Sequence, residues 1–249
     1  MEILDSTIRR DAQLLRFGTY LKREYITPTM QGLSKEITRL MAGFDELNKM
    51  DRTKLAREIR QLVSDSMNAM FDDITGELHR LTDDEAAFMY DLYNDIVPES
   101  LLALTDGAVI ATAGNALISL EAGQTFRTGK WSDFVKANID TAMKNVDGVV
   151  LRGFRDGQTL QSITKELRGI YNRSTKEYTG GILNGINTRY AETLARTGVS
   201  HYANQARDKF ASSNSDVITE AVFFATLDNR TTTICMGNHA KRFKLDDPN

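Results

Sequence analysis

The sequence predicts a mainly α-helical protein, in which an elongated helical N-terminal region precedes a helical module that ends in a small β-hairpin. Three observations support this fold class. Apolar residues recur at steps of three and four along most of the chain, as they do on one face of a helix. The 249 residues include only three prolines, so long stretches are free of helix breakers. Near the end, residues 242–245 alternate polar and apolar side chains, a period typical of a strand.

The first hundred residues predict amphipathic helices with three apolar stripes. Asp51 fits the N-cap of the second helix, because aspartate accepts hydrogen bonds from the free amides at a helix start. Thr82 and Glu85 fit a capping box that opens a third helix, and Pro98 should end it. We interpret the stripes as bundle core, with coiled-coil seams or partner-binding faces as alternatives. The stripes comprise Leu33, Ile37, Leu40, Phe44 and Leu47; Ile59, Val63, Met67, Met70, Ile74 and Leu78; and Phe88, Met89, Leu92 and Ile96.

Glycine and other small residues become frequent in the middle of the chain and indicate a boundary. They predict three regions: a helical region at 1–100 for partner binding or bundle packing, a connecting segment at 101–130, and a helical module at 131–249. In the last of these, Ser132 fits the cap of one helix, and a Gly180-Gly181 pair should break the chain before a long helix over 184–212. Other apolar positions predict a helix with Val135, Ile139, Met143 and Val146, and a short helix with Leu160, Ile163, Leu167 and Ile170.

The end of the module predicts a hairpin. Residues 222–227 are rich in apolar and β-favouring types, and residues 242–245 have the period of a strand, so a long connection at 228–241 should join two antiparallel strands.

Charge is distributed unevenly along the chain. Lys and Arg total 31 and Asp and Glu total 34, a net charge of -3 that argues against a wholesale polyanion binder. Residues 1–129 contain 14 basic and 21 acidic residues, whereas residues 130–249 contain 17 basic and 13 acidic residues. An acidic front half and a mildly basic rear half therefore predict different contacts for the two halves.

The sequence contains none of the usual signatures of an enzyme, a membrane protein or a secreted protein. It has no G-x-x-x-x-G-K-[ST], H-E-x-x-H or G-x-S-x-G motif, and His79, His201 and His239 are far apart. The longest charge-free apolar stretch, at 107–120, is shorter than the roughly 20 residues of a membrane span. The N-terminus lacks an apolar run, and the single cysteine fits a reducing compartment such as a cytosol. We therefore expect no enzymatic activity, no cofactor and no membrane span.

Cys235 and His239 form the one pair with possible chemistry, a C-x-x-x-H spacing. The pair supplies two zinc ligands where a closed structural site needs four, and it could also form a thiolate and base for nucleophilic catalysis. Asp246 and Asp247 are adjacent, so in a strand they would point to opposite faces and would not share a metal or a proton. Spacing alone leaves metal binding and catalysis open as alternatives to a structural role.

The last part of the chain resembles the phage Mu F-like head morphogenesis, or minor capsid, family. The A-R-T-G-V-S run from Ala195 is similar to that family's long helix, and A-T-L-D-N-R-T from Ala225 is similar to its following loop. Ile234-Cys235, Lys241-Arg242-Phe243 and the D-D-P end fall at the family spacing, and residues 157–167 resemble its preceding short helix. We take as the structural motif Arg196, Thr197, Asn204, Arg207, Asp228, Arg230, Thr231, Cys235, Phe243, Asp246, Asp247 and Pro248.

The motif residues suit a structural role, and the sequence departs from the family pattern in two places. Arg196 and Arg230 could each pair with a carboxylate, Asp228 or Asp246, to hold one loop geometry. Where many members have a D-G pair before the lysine, this chain has His239-Ala240. Many members also continue to an H-x-x-C-R-C-like end, which the printed sequence does not contain, so no metal or disulfide site is carried over to Cys235.

The resemblance implies a minor capsid protein of the virion head, without catalytic activity, that acts with portal or scaffold in procapsid assembly, DNA packaging or genome delivery. The implied partners are the portal protein and the major capsid or scaffolding protein. The net charge of +4 on residues 130–249 adds the hypothesis that the rear half faces packaged double-stranded DNA through phosphate contacts. Several copies or a homo-oligomer would surround the portal, in the head interior or at the portal vertex, after assembly in the host cytoplasm. The alternatives are a nuclease or transferase centred on Cys235 and His239, and a DNA-binding regulatory protein of a mobile element.

Overall fold

The computed structural model describes residues 2–43, 49–98, 101–103, 118–122, 125–225 and 231–245. Helices dominate them, and the predicted fold class is confirmed. The α-helices are α1 (Glu2–Leu21), α2 (Thr27–Ala42), α3 (Lys49–Asn94), α4 (Trp131–Arg155), α5 (Leu160–Arg168), α6 (Thr188–Ser213) and α7 (Thr233–Asn238), and π-helical turns at Lys22–Ile26 and Ile182–Asn187 lead into α2 and α6. The strands form three antiparallel pairs: β1 (Ile118–Ala122) with β2 (Thr125–Gly129), β3 (Ile170–Asn172) with β4 (Glu177–Thr179), and β5 (Glu220–Val222) with β6 (Arg242–Lys244).

Helix α3 is longer than the sequence predicted, and the capping-box prediction is wrong. The helix runs without interruption through Thr82 and Glu85, and both side chains are buried in the protein. The capping arrangement does not form because Glu85 instead pairs with an arginine of another helix. Asp51 lies in the first turn of α3 rather than at its N-cap, and the helix ends at Asn94, ahead of Pro98.

The second apolar stripe is confirmed in full, whereas Leu40 of the first stripe and Phe88, Met89 and Leu92 of the third are only half-buried. The second stripe, from Ile59 to Leu78, is buried throughout, and so are Leu33 and Ile37 of the first. Phe44 and Leu47 lie outside the described residues. Ile96 is exposed, because α3 ends before it.

Two local predictions in the module need correction. Helix α4 begins at Trp131, one residue before the expected cap, and the N-cap is Lys130, whose amide donates to the Asp133 carboxylate at 3.0 Å. Ile170 lies in β3 rather than in the short helix, because Gly169 ends α5 with a φ of 81°. The long helix after Gly180-Gly181 is confirmed as the π-helical turn followed by α6.

The chain contacts divide the protein into two units. Unit 1 takes residues 1–80 and 115–202, and unit 2 takes residues 81–114 and 203–249, so α3 and α6 each contribute to both. Much of the predicted connecting segment lies outside the described residues, and the division at 1–100, 101–130 and 131–249 stays a prediction.

The core of unit 1 surrounds Trp131 and Tyr202, which are both buried with their rings 6.0 Å apart, edge to face. The indole Nε1 of Trp131 donates to Thr75 Oγ1 at 2.9 Å, so its single donor is satisfied. Burial raises the pKa of Tyr202 to about 12, which keeps its hydroxyl neutral at physiological pH. Leu78, on the second apolar stripe, and Gly198, on α6, pack beside this indole.

A polar network in unit 1 holds the β3–β4 hairpin against α2. The Gln31 side chain donates to the Tyr178 carbonyl at 2.8 Å and accepts from the Tyr178 amide at 2.7 Å. Both backbone polar groups of Tyr178 thus have a hydrogen-bond partner in Gln31. Asn184 donates to Ser34 Oγ at 2.7 Å and to the Arg168 carbonyl at 2.9 Å. Because Gln31 and Ser34 lie about 150 residues before Tyr178 and Asn184, no local pattern predicted these contacts.

Candidate interaction surface

The predicted C-terminal hairpin is present, with a shorter first strand than expected. Glu220, Ala221 and Val222 pair with Lys244, Phe243 and Arg242. Further backbone bonds extend the pairing past both ends, since the Phe223 amide donates to the Lys241 carbonyl at 3.0 Å and the Leu245 amide to the Thr219 carbonyl at 3.1 Å. Of the predicted strand at 222–227, Val222 lies in β5 and residues 223–225 follow it, while residues 226 and 227 lie outside the described residues. The long connection contains the short helix α7.

Cys235 lies in the first turn of α7 and His239 is its C-cap residue, and both take part in local structure. Thr232 caps the helix by accepting from the Cys235 amide at 3.2 Å. His239 Nδ1 accepts from the Ala225 amide at 3.2 Å, and its ring lies edge-on to Phe224 at 5.7 Å. The histidine thus joins the two ends of the connection, and within the described ranges no group of three His, Cys, Asp or Glu side chains could hold a metal ion.

Large apolar side chains are exposed along this hairpin and its connection. Seven of them are between 39% and 76% exposed within a 24-residue stretch, and a large exposed apolar area is typical of a site that binds a partner. Lys241, Arg242 and Lys244 are also exposed, at and next to the second strand. We call this the apolar hairpin surface; it comprises Val222, Phe223, Phe224, Ile234, Met236, Phe243 and Leu245.

Ala240 adopts the left-handed backbone conformation at the place where many family members have glycine. Its φ is 61°, and its amide donates to the Phe223 carbonyl at 2.7 Å, so the turn forms without the glycine. A Cβ in this conformation costs about 1–2 kcal/mol.

Replacing Ala240 with glycine should therefore raise the free energy of unfolding by up to about 1 kcal/mol, after allowance for the greater backbone freedom of glycine in the unfolded chain. Urea denaturation would check this, with Ala211→Gly as the control. Ala211 lies inside α6, so glycine there should lower stability by about 1 kcal/mol. A loss of stability from Ala240→Gly would contradict the argument.

The motif residues on α6 bond along the helix and to the N-terminal helices. Arg196 pairs with Glu192 at 2.6 Å, and the second oxygen of Glu192 accepts from Lys22 Nζ at 2.8 Å. Thr197 Oγ1 donates to the Thr193 carbonyl at 3.0 Å. The partner of Arg196 in unit 1 is thus Glu192, a carboxylate of its own helix, and Lys22 connects this pair to the chain segment that follows α1.

Arg207 forms the most buried ion pair described in the chain. Its Nε lies 2.6 Å from Glu85 Oε1, and the two side chains are 20% and 0% exposed. Glu85 is not among the predicted site residues, because its position three residues after Thr82 fitted a capping box. A carboxylate at helical spacing from the buried Leu78 and Leu81 was the signal that could have identified it. Asn204, one turn before Arg207 on α6, is exposed.

The remaining motif residues are only partly described. Cys235 lies on α7 and Phe243 on β6, and Thr231 immediately precedes the capping residue of α7. The expected pairings of Arg230 with Asp228 or Asp246, and the positions of Asp247 and Pro248, fall outside the described residues. No helix in the described part of the chain combines the length and hydrophobicity that a membrane crossing requires.

One comparison with known proteins identifies this region. The family model of the phage Mu protein F like protein matches residues 144–249, which contain the end of α4, α5, the β3–β4 hairpin, α6 and the C-terminal hairpin. No curated protein and no solved structure matches the chain. Residues 144–249, fewer than half of the chain, are therefore similar to the phage Mu F-like family, and this similarity suggests a phage head morphogenesis protein.

Proposed function

We propose that this protein is a minor capsid protein of the phage head, which acts with the portal or scaffold in procapsid assembly, DNA packaging or genome delivery. It acts by binding other head components and catalyses no reaction. The match of residues 144–249 to the head-protein family supports this role. The observation that carries it is the apolar hairpin surface, which lies inside the matched module and offers an area suited to a protein partner.

The composition of that surface resembles the centre and rim of a protein–protein interface. Phe223, Phe224 and Phe243 supply aromatic area, and aromatic residues are enriched at interface centres. Lys241 and Lys244 add exposed positive charge, whereas Arg242 already pairs with Glu220, so the partner surface should be apolar with acidic residues around it. We propose the portal protein as that partner, with the major capsid or scaffolding protein as the next candidate. Several copies of the chain would surround the portal ring, inside the head or at the portal vertex.

Replacing Ile234 with aspartate tests the proposal. Ile234 is 76% exposed on α7, so a charge there should leave the fold intact while disrupting an apolar interface. We expect incorporation into particles to fall roughly tenfold or more, which corresponds to about 1.4 kcal/mol of binding free energy. The measurement is quantitative mass spectrometry of purified particles, with copy number per portal, after complementation with the variant.

Leu15→Asp is the matched control, since Leu15 is 78% exposed on α1, outside the family module. It should enter particles like the unaltered protein, and circular dichroism should show both variants folded. Equal incorporation of Ile234→Asp and the unaltered chain would count against the hairpin as the docking surface. Absence of the unaltered protein from particles would overturn the proposed function.

A further inference from the structure

The positive charge of the rear half is concentrated in one stretch. Residues 152–189 contain seven basic and three acidic residues, and the rest of residues 130–249 contain ten of each. This stretch forms the end of α4, then α5, the β3–β4 hairpin and the start of α6, all within unit 1. The net charge of +4 that distinguishes the rear half is therefore located on one set of neighbouring elements.

Some of these charges are already neutralised inside the protein. Arg152 pairs with Glu166, and Arg155 pairs with Asp156 at 2.9 Å, an ion pair that lowers the pKa of Asp156. Arg189 instead donates to a backbone carbonyl at 3.3 Å. The paired arginines thus account for two of the three carboxylates in the stretch.

Four other cations of the stretch have no carboxylate partner among the described residues. They are Lys165, Arg168, Arg173 and Lys176. Arg168 lies over the Tyr178 ring at 4.8 Å, which fixes its position without neutralising it. Lys165 and Arg168 are in the last turn of α5, where cations also interact favourably with the helix dipole. Arg173 and Lys176 lie in the turn of the β3–β4 hairpin. An interaction with the dipole of α5 therefore does not account for positive charge at these two positions.

The hairpin that carries Arg173 and Lys176 is held in one shape. The Asn172 side chain accepts from the Ser174 amide at 2.9 Å, an Asx turn that orders the tip, and Gln31 completes the backbone bonding of β4. Tyr171 packs on Tyr178 with ring centroids 5.0 Å apart. Tyr171 is 42% exposed and its strand neighbour Ile170 is 63% exposed, so an amphipathic ribbon projects with its cations at the tip.

An open cavity of about 710 Å³ in the same unit also has a cationic lining. It takes Arg168 from the end of α5 and Arg52 from α3, whose guanidinium lies over the Phe154 ring at 5.6 Å. Among the described residues its other polar lining side chains are neutral, including Gln158, Thr159 and Thr164, and none of them is a carboxylate. Arg168 therefore belongs to a cationic surface that extends from this cavity towards the hairpin strand carrying Tyr178.

We infer that the β3–β4 hairpin and the adjoining end of α5 bind the phosphate backbone of duplex DNA. This inference rests on the proposed role in the phage head and names the surface that would face the genome. A two-stranded ribbon fits the major groove of B-DNA, which is about 12 Å wide. Lysine and arginine contacts to phosphates give binding without sequence preference, as packaging of a whole genome requires.

The test removes the two tip charges from the full-length protein as Arg173→Gln with Lys176→Asn. Lys176 has a φ of 57°, and asparagine is the neutral residue best suited to that conformation, so the turn should be retained. Binding to a mixed-sequence DNA duplex is measured by fluorescence anisotropy over a range of salt concentrations. We expect the slope of log affinity against log salt to become shallower by about 2, close to one for each lost phosphate contact.

Lys54→Gln with Arg57→Gln is the matched control. Both residues are exposed on α3, outside the basic stretch, and the variant has the same net charge as the test variant. It should bind with the slope of the unaltered protein. An equal decrease of the salt slope in both variants would show that net charge alone determines DNA binding, and would overturn the inference. An unaltered protein that fails to bind at low salt, or binds without salt dependence, would overturn it as well.

Particle incorporation separates this inference from the proposed function. The Arg173→Gln, Lys176→Asn variant keeps the apolar hairpin surface, so it should enter particles normally while binding DNA more weakly. Normal incorporation with an unchanged salt slope would overturn the DNA surface alone. Absence of the unaltered protein from particles would overturn the proposed function and would leave the DNA measurement standing.

Discussion

Replacing Arg207 with methionine is expected to lower the free energy of unfolding by about 3–5 kcal/mol. Methionine keeps much of the volume of the arginine stem but removes the guanidinium that lies 2.6 Å from the fully buried Glu85. A buried carboxylate that loses its cation bears a desolvation cost that the remaining hydrogen bonds do not offset. Chemical denaturation followed by circular dichroism would measure the change.

Two further variants show whether burial is the cause. Glu85→Met combined with Arg207→Met should recover most of the loss, because an apolar pair of similar volume leaves no buried charge. Arg242→Met removes an exposed arginine from its 3.3 Å contact with Glu220 and should cost no more than about 1 kcal/mol. If the double variant were less stable than Arg207→Met alone, the explanation from an unpaired buried charge would be wrong.

Replacing Gly198 with valine is expected to lower the free energy of unfolding by about 2–3 kcal/mol. A Cβ at this position would lie 2.8 Å from Leu78 Cδ1 and 2.8 Å from Trp131 Cζ3, closer than real carbon contacts. Two rigidly packed neighbours cannot both move aside, since Trp131 is also held by its bond to Thr75. Trp131 is the single tryptophan, so its fluorescence should report the local disturbance as well as the unfolding midpoint.

Gly148→Val is the control for this prediction. Gly148 lies inside α4 with nothing within 4 Å of the position of an added Cβ. Valine has a slightly higher helix propensity than glycine, so the free energy of unfolding should rise by about 0.3 kcal/mol. Similar effects of valine at both positions would show that helix propensity, rather than the approach of α6 to Trp131, decides the outcome.

The position of Gly198 also bears on the module itself. The contact joins a glycine of the matched module to Leu78 and Trp131, which precede residue 144. Residues 144–202 fold in the same unit as residues 1–80, and residues 203–249 fold with residues 81–114. The family-matched segment therefore draws core partners from residues before 144, where the sequence match begins.

Much of the fold follows from local sequence. The period of the apolar residues predicted the buried stripe from Ile59 to Leu78, the glycine pair predicted the start of the long helix, and the period of two predicted the second strand of the C-terminal hairpin. Residues 118–129 and 170–179 form hairpins that the same patterns missed. Strands of three to five residues are too short for a period to be recognised.

The sequence by itself determined the helical class, the C-terminal hairpin and the resemblance to a head-protein family, because each depends on residues close together in the chain. Only the tertiary structure decided that Glu85 pairs with Arg207, that Gln31 completes the bonding of Tyr178, and that the unpaired cations lie at the end of α5 and on the hairpin tip. Those pairings join residues more than a hundred positions apart. Packing, which a local pattern does not encode, brings such residues together and determines which charges are neutralised within the fold.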